Sequence, residues 1–444
     1  MLTYAAILTY GLLVLGLAYN NRTVRTVDSF LMAERSVSTM GVGAATFSLV
    51  GGGEIVALTS LAFLYGPSAI SLFIGYALGF FLLGLLSNRI RGGAEKEMYV
   101  SLPDYMYKKC GNLAGFITFL CSLGAFFSLL MLQLSAGGLL LSQIGGVEAA
   151  SATIAIGILV TSYLAIGGFR TVISTDMLQG ASRMLLVPFL GWAAYSQLSL
   201  GSVQAQATMP TMASVGMILT GFFTAMASAD VWQRVYAAKS SASSRNGLWL
   251  GGLLMLLFGV VLVQLGIHAF AVAPSSVADD AFVSSVRLGL PEWASLLAVI
   301  LVLISVISTA DTEIFLVSSL LQSERRRRSI YTLHAGDSDG TVNSARGIVV
   351  VVGILSTLAA LVFSDLVTIY LWLISALLVL SPIVIASLIF SPRPITGSAA
   401  LVFSGALFIG LVVSGALTLE NAYLIVLPGF GAVALIELYF RVKR

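Results

Sequence analysis

Charge is what this 444-residue chain has least of: Asp, Glu, Lys and Arg together make up 10% of it. A soluble protein carries about 25% charged residues, so no sizeable soluble domain is concealed here. Cysteine is nearly absent, and Cys110 and Cys121 have neither disulfide nor metal spacing. Histidine is as scarce. His268 sits alone in an apolar block and His334 in a polar stretch, so no cluster can hold a catalytic metal and no Ser-His-Asp set can be assembled. These gaps exclude an enzyme and an organic cofactor. The net charge of +3 is too small, and too dispersed, to point to nucleic acid. The first apolar block, Leu2 to Tyr19, has no basic residue before it and several after it. That pattern predicts a retained helix with its N-terminus outside, in place of a cleaved signal peptide.

What the chain has is hydrophobic sequence, 58% of it. Its apolar blocks read as about thirteen membrane-spanning helices, each about 20 residues or longer. With the N-terminus outside, alternate loops collect 21 of the 23 Lys and Arg residues, including the run Arg325 to Arg328 and the C-terminal Arg441, Lys443 and Arg444. Arg287 falls in an outside loop and Arg183 within a span. A separation this clean supports both the span count and the orientation, with the C-terminus in the cytoplasm of a multi-pass inner or plasma membrane protein. The longest polar stretch, Gln322 to Arg346, reads as a cytoplasmic loop, and Pro274 to Glu292 as an outside loop carrying a short surface helix. The whole chain, 1–444, reads as one transmembrane domain.

Ionisable residues inside spans are costly and mark function. Glu54, Asp176, Asp230, Asp311 and Glu313 lie within or at the edge of apolar blocks, with Arg183 the single embedded base. Glu54 directly follows Gly51-Gly52-Gly53. Three glycines weaken a helix by roughly 1 kcal/mol each. They suit an unwound segment that lines a site, or else close helix packing. Ser305, Ser308, Thr309 and Thr312 share one helix face, flanked by Asp311. Hydroxyls beside a carboxylate suit a hard cation, although such hydroxyls also bond back to carbonyls of the preceding turn. Arg183 reads as half of a structural ion pair with Glu54, Asp230 or Asp311. Asp230 either faces a cavity or pairs with Arg234 four residues on.

Five ordered segments resemble the sodium:solute symporter family: Asp28-Ser-Phe-Leu-Met-Ala-Glu-Arg-Ser36, Ser101-Leu-Pro-Asp-Tyr105, Gly167-Gly-Phe-Arg-Thr-Val-Ile-Ser-Thr-Asp-Met-Leu-Gln179, Gln233-Arg-Val-Tyr-Ala-Ala-Lys-Ser240, and Ser308-Thr309 with Leu316-Val-Ser-Ser319. Glu34 stands where the family usually has Gly. The third segment is the most specific. The resemblance implies an all-α, LeuT-type fold. It has two inverted five-helix repeats, 37–198 and 211–392, with peripheral helices at 1–20 and 396–441. It also implies Na+ as coupling ion, held by backbone carbonyls of Phe47, Val50 and Ser305 and by the hydroxyls of Ser308 and Thr309. Asp176, Asp311 and Thr312 fall where some members bind a second ion, and Asp311 departs from the pattern there. It could tighten a sodium site, carry a proton or hold Arg183.

The resemblance leans toward the urea and polyamine branch, through Asp230-Val-Trp-Gln-Arg234 and the acid at Glu313. Leu49, Gly53 and Glu54 differ from the residues of the sugar carriers. Gly51, Gly53, Glu54, Asp230 and Trp232 are the expected solute-binding residues. Two carboxylates near one cavity favour a cationic or hydrogen-bond-donating solute over dicarboxylates or sialic-acid-like anions. Alternatives are proton coupling through Asp176, Asp311 or Glu313, and a transporter-like sensor, although no signalling domain follows the last span. A monomer or weak homo-oligomer in contact with membrane lipid is expected.

Overall fold

The computed structural model describes residues 2–20, 37–47, 49–97, 101–197, 211–329 and 338–443; among the side chains inside those helices that lie outside the description are those of 168–184. Fifteen α-helices run along the described residues. They are α1 Leu2–Asn20, α2 Thr39–Phe47, α3 Gly52–Tyr65, α4 Ile70–Glu97, α5 Leu102–Gly145, α6 Ala149–Gln197, α7 Thr211–Ala227 and α8 Ala229–Ala237. Next come α9 Ser241–Val272, α10 Ala281–Gly289, α11 Glu292–Ser329, α12 Ser338–Val362, α13 Leu366–Ile389, α14 Pro394–Val413 and α15 Val426–Val442. No strand occurs among the described residues; the only bridge is Val37 with Ala238.

Eight stretches of the described residues are long and apolar enough to cross a membrane, or nine if a bent pair counts as one. The protein is a multi-pass membrane protein. One of the eight, Gly52–Gly93, holds α3 and α4 with a short turn around Pro67 between them. The α6 helix continues through Gly167 and Gly168, where the charge pattern predicts a cytoplasmic turn between two spans. At about 1.5 Å per residue, this helix is longer than one bilayer crossing requires.

Two helices are interrupted. Between α2 and α3 the chain leaves helical geometry, and Gly51 is extended (φ −78°, ψ −174°). Between α7 and α8 the axis bends by 47° at Ser228. Both breaks face the centre, where α4, α5, α9, α11 and α13 pack around them. Small residues make the close packing possible. A Cβ on Gly221 of α7 would meet the backbone of Leu72 and of Tyr76 on α4, so the two main chains lie nearly in contact there.

The Ser101-Leu-Pro-Asp-Tyr segment has a local explanation. Ser101 Oγ accepts from Asp104 N at 3.3 Å, and Asp104 Oδ2 accepts from Ser101 N at 3.1 Å, a reciprocal cap that starts α5. Nine residues on, Gly111 (φ +85°) kinks the helix in a conformation that a side chain would strain.

The segment from Asp279 through α10 ties two other helices together. Asp279 accepts from Leu366 N at 3.3 Å, at the start of α13. Arg287 donates to the Gln143 carbonyl at 2.6 Å, near the end of α5. Acid at a helix N-terminus and base at a C-terminus each complement the helix dipole, which gives Arg287 a role away from the other basic residues.

Candidate functional site: two broken helices around one cavity

The break between α2 and α3 is pressed against α11. A Cβ on Gly51 would lie 2.5 Å from Thr309 Oγ1 and 2.8 Å from Glu54 Oε2. One on Gly52 would run into the Val306 backbone N and lie 2.7 Å from the Val302 carbonyl. The three glycines therefore serve both readings: they open the helix and let it touch its neighbour. Glycine here is dictated by space, since φ at Gly51 suits any residue. Phe47 and Val50 edge the same break, where the Phe47 carbonyl accepts from Val50 N at 3.2 Å.

Across the break, Thr309 Oγ1 donates to the Ser305 carbonyl at 3.0 Å and Thr312 Oγ1 to the Ser308 carbonyl at 3.2 Å. These are the back-bonds that compete with an ion-binding reading. They do not remove the acceptor lone pairs. A hydroxyl whose proton is committed backwards presents oxygen outwards, the polarity a cation needs. Ser305 and Ser308 are each 1% exposed, so this oxygen-lined face is shielded from bulk solvent.

Glu54 lies in the first turn of α3 and is 3% exposed. Gln133 of α5 fixes it: Gly53 N donates to Gln133 Oε1 at 2.8 Å, and Gln133 Nε2 donates to Glu54 Oε2 at 2.8 Å. One amide thus satisfies a backbone N–H at the helix start and orients the carboxylate, which the α3 dipole also favours.

The cavity beside this break has a volume of about 680 Å³, its open mouth included. Leu49, Val50 and Glu54 line it from the first break, and Thr224, Ser228 and Asp230 from the second. The rest of the wall is apolar or aromatic, with Tyr76 and Tyr370 joined through their hydroxyls at 3.0 Å. Asp230 satisfies both of its expected alternatives. It pairs with Arg234 at 2.7 Å and also faces the cavity. Glu313 is 3% exposed, and its Oε2 has no hydrogen-bond partner among the described residues. It lies in the electrostatic field of Asp230, Glu54 and Arg234.

A family model described as "SSF: Sodium:solute symporter family" matches residues 30–393. The chain belongs to the sodium:solute symporter family. Several solved structures share the symporter's fold. A Na+-coupled sialic acid symporter, substrate-bound and outward-open, matches with a TM-score of 0.79 at 16% identity, over 99% of this chain and 98% of that one. Mhp1, a nucleobase-cation-symport-1 family transporter in a closed conformation with bromovinylhydantoin bound, matches at 0.61 and 15% identity over 93% of each chain. A mutant manganese transporter from Eremococcus coleocola reaches 0.50 at 14% identity, over 92% of this chain and 95% of that one. No curated protein matches the symporter's sequence significantly.

Of the expected site residues, the symporter's structure brings Gly51, Gly53, Glu54 and Thr309 together at one break and places Asp230 across the cavity. Trp232 lies elsewhere. It is fully buried, donates to the Met226 carbonyl at 2.9 Å and packs on Tyr105 with ring centroids 5.1 Å apart. The α8 helix turns Asp230 and Trp232 to different sides, so the indole serves the core and does not line the cavity. Asp311 is fully buried and accepts from Tyr163 Oη at 2.7 Å, on the α6 side of α11. Thr312 approaches Asp311 at 3.3 Å. The side chains of Asp176 and Arg183 lie outside the described residues. Gln133 and Tyr163 escaped a sequence reading that weighed only charges and hydroxyl stripes. An amide or phenol within an apolar run must find a partner, and that signal was available.

Proposed function

We propose that this protein is a sodium-driven symporter that imports a small organic solute by alternating access. The reading is carried by one observation: two broken helices converge on a single cavity and each supplies a carboxylate, Glu54 and Asp230. Sodium sits between the first break and α11, on the carbonyls of Phe47, Val50 and Ser305 and the hydroxyls of Ser308 and Thr309. The contact of Gly51 with Thr309 supports that placement. Asp176, Asp311 and Thr312 form a second ion or proton site, and Arg183 is a structural ion-pair partner. The helices form two inverted repeats, 37–198 and 211–392, within about thirteen spans of an inner or plasma membrane, N-terminus outside and C-terminus cytoplasmic.

The solute is cationic or rich in hydrogen-bond donors, a set that holds urea-like amides, polyamines and amino acids. Sialic acid, which the structural neighbour carries, is an anion, and the two acids at this cavity oppose it. Thermal stability of the purified protein, titrated with sodium at constant ionic strength, tests the ion site. Sodium raises the melting temperature of the wild type, and the double substitution Ser308→Ala with Thr309→Ala abolishes the rise while the protein stays folded. An unchanged sodium response in the double variant refutes the site.

Glu313 favours a second reading, proton coupling. A buried acid with an oxygen that has no hydrogen-bond partner among the described residues is costly when ionised. Solute uptake driven by a pH gradient without sodium, and lost in Glu313→Gln, would establish it.

A further inference from the structure

A buried threonine in these helices ordinarily spends its proton on its own chain. Thr46, Thr59, Thr118 and Thr357 each donate to the carbonyl four residues back at 2.8 Å or less, and Thr309 does the same beside the first break. Thr220 and Thr224 of α7 depart from that habit. They are 0% and 3% exposed, yet neither hydroxyl has a hydrogen-bond partner among the described residues. Four residues further on, Ser228 is the N-cap of α8, and its side chain makes no capping bond. At steps of four residues the three hydroxyls follow one side of α7 to the second break, and Thr224 and Ser228 line the cavity there. The Tyr76–Tyr370 pair, also on the cavity wall, adds a further donor: whichever hydroxyl gives its proton across the 3.0 Å bond, the other keeps its own. The polarity is the reverse of that at the ion site. A hydroxyl committed backwards offers only oxygen, whereas an uncommitted one has a proton to give. Leaving such a donor buried and unmet is costly, and an incoming acceptor relieves the cost.

We propose that Thr224 and Ser228 determine which solute binds, by donating hydrogen bonds to a carbonyl, carboxyl or hydroxyl oxygen that the solute must carry. This rests on the symporter reading above and narrows its solute set. Amides and amino acids bring such an oxygen. Polyamines do not, because a protonated amine has donors and no lone pair to accept with. The charge of the solute does not enter, since an oxygen of this kind accepts from a hydroxyl on a neutral, cationic or zwitterionic molecule alike. Discrimination of this sort is strong because a solute without the oxygen leaves buried donors unpaired.

The test uses the purified full-length protein, with melting temperature and calorimetry as readouts. Its first arm needs no solute. Thr224→Val keeps the shape of the side chain and removes the hydroxyl, so the solute-free variant melts at or above the wild-type temperature. A lower melting temperature means that the hydroxyl is already bonded within the fold, and overturns the proposal. The second arm compares probes of equal charge that differ in the acceptor: urea with thiourea, propanamide with propanethioamide, and 3-aminopropan-1-ol with butylamine, with spermidine as the polyamine. In sodium, the oxygen-bearing member of at least one pair binds about tenfold more tightly than its partner, and spermidine does not bind. Thr224→Val and Ser228→Ala each weaken that member by about fivefold and leave its partner unchanged, a split that a merely structural role would not produce. Should a variant fail to fold, the wild-type comparison of the pairs decides alone. A preference for the oxygen-free members, binding of spermidine in their place, or no preference in any pair overturns the proposal and leaves the symporter reading standing. Oxygen-dependent binding without any sodium response supports the donor pair and overturns sodium coupling.

Discussion

Gly51→Ala isolates the sodium site from the rest of the fold. The backbone at Gly51 (φ −78°) accepts alanine without strain, so the effect of the substitution is the volume of one methyl group. That methyl would sit 2.5 Å from Thr309 Oγ1, 2.9 Å from Thr309 Cγ2 and 2.8 Å from Glu54 Oε2. Ordinary carbon contacts are about 3.5–4.0 Å, so Thr309 must retreat by most of an ångström or the break must open. Neither movement is free, because Thr309 is tied to the Ser305 carbonyl and Glu54 to Gln133. Overpacking of this kind costs about 1–3 kcal/mol. If Thr309 is a sodium ligand, that cost falls on the bound state and weakens sodium roughly 5- to 150-fold. The assay is the melting temperature of purified protein against sodium, with potassium as the balancing salt. Gly410→Ala in α14 is the control, since nothing lies within 4 Å of its added methyl. It leaves the sodium midpoint unchanged and stabilises the helix by about 1 kcal/mol at most. A Gly51→Ala protein whose sodium midpoint stays within about twofold of wild type would refute the reasoning.

Single cysteines placed at Arg325 or Arg327 react with a membrane-impermeant maleimide only from the cytoplasm, and one placed at Asp279 only from outside; the opposite pattern discards the topology. Asp279, in the loop before α10, is held up at about 6 from 3.8, chiefly by burial, with Asp365 and Asp280 adding and the Leu366 N–H opposing. The folded protein therefore keeps a proton that the unfolded chain has lost over this interval. The stability the group contributes is complete below 3.8 and disappears as pH rises through 6. Asp279→Asn flattens that part of the melting-temperature profile, and a variant with the wild-type slope assigns the dependence elsewhere. Glu437 takes the Arg393 guanidinium at 2.5 Å, the Arg393 N–H at 3.1 Å and the Thr396 hydroxyl at 2.7 Å, joining α14 to α15. Glu437→Ala lowers stability by about 1–2 kcal/mol after allowance for partial exposure, measured as a reduced melting temperature without change in sodium response.

Composition and the placement of basic residues were enough to establish a multi-pass membrane protein, because water and hydrocarbon sort side chains before any tertiary contact forms. Five short segments were enough for the family; of these, Ser101–Tyr105 starts α5 and Gln233–Ser240 spans the end of α8, places that local backbone chemistry governs. The Gly51 to Glu54 run was legible as a break for the same reason. Tertiary structure decided the rest. Only packing could show that Gly51 meets Thr309, that Gln133 holds Glu54, and that Tyr163 holds Asp311. These partners lie on different helices, and nothing local in the chain records which faces will meet. The fate of Trp232 makes the same point. Two residues from Asp230, its indole turns to Met226 and Tyr105, because a helix sends such neighbours to different sides and the bundle alone decides which side holds the cavity.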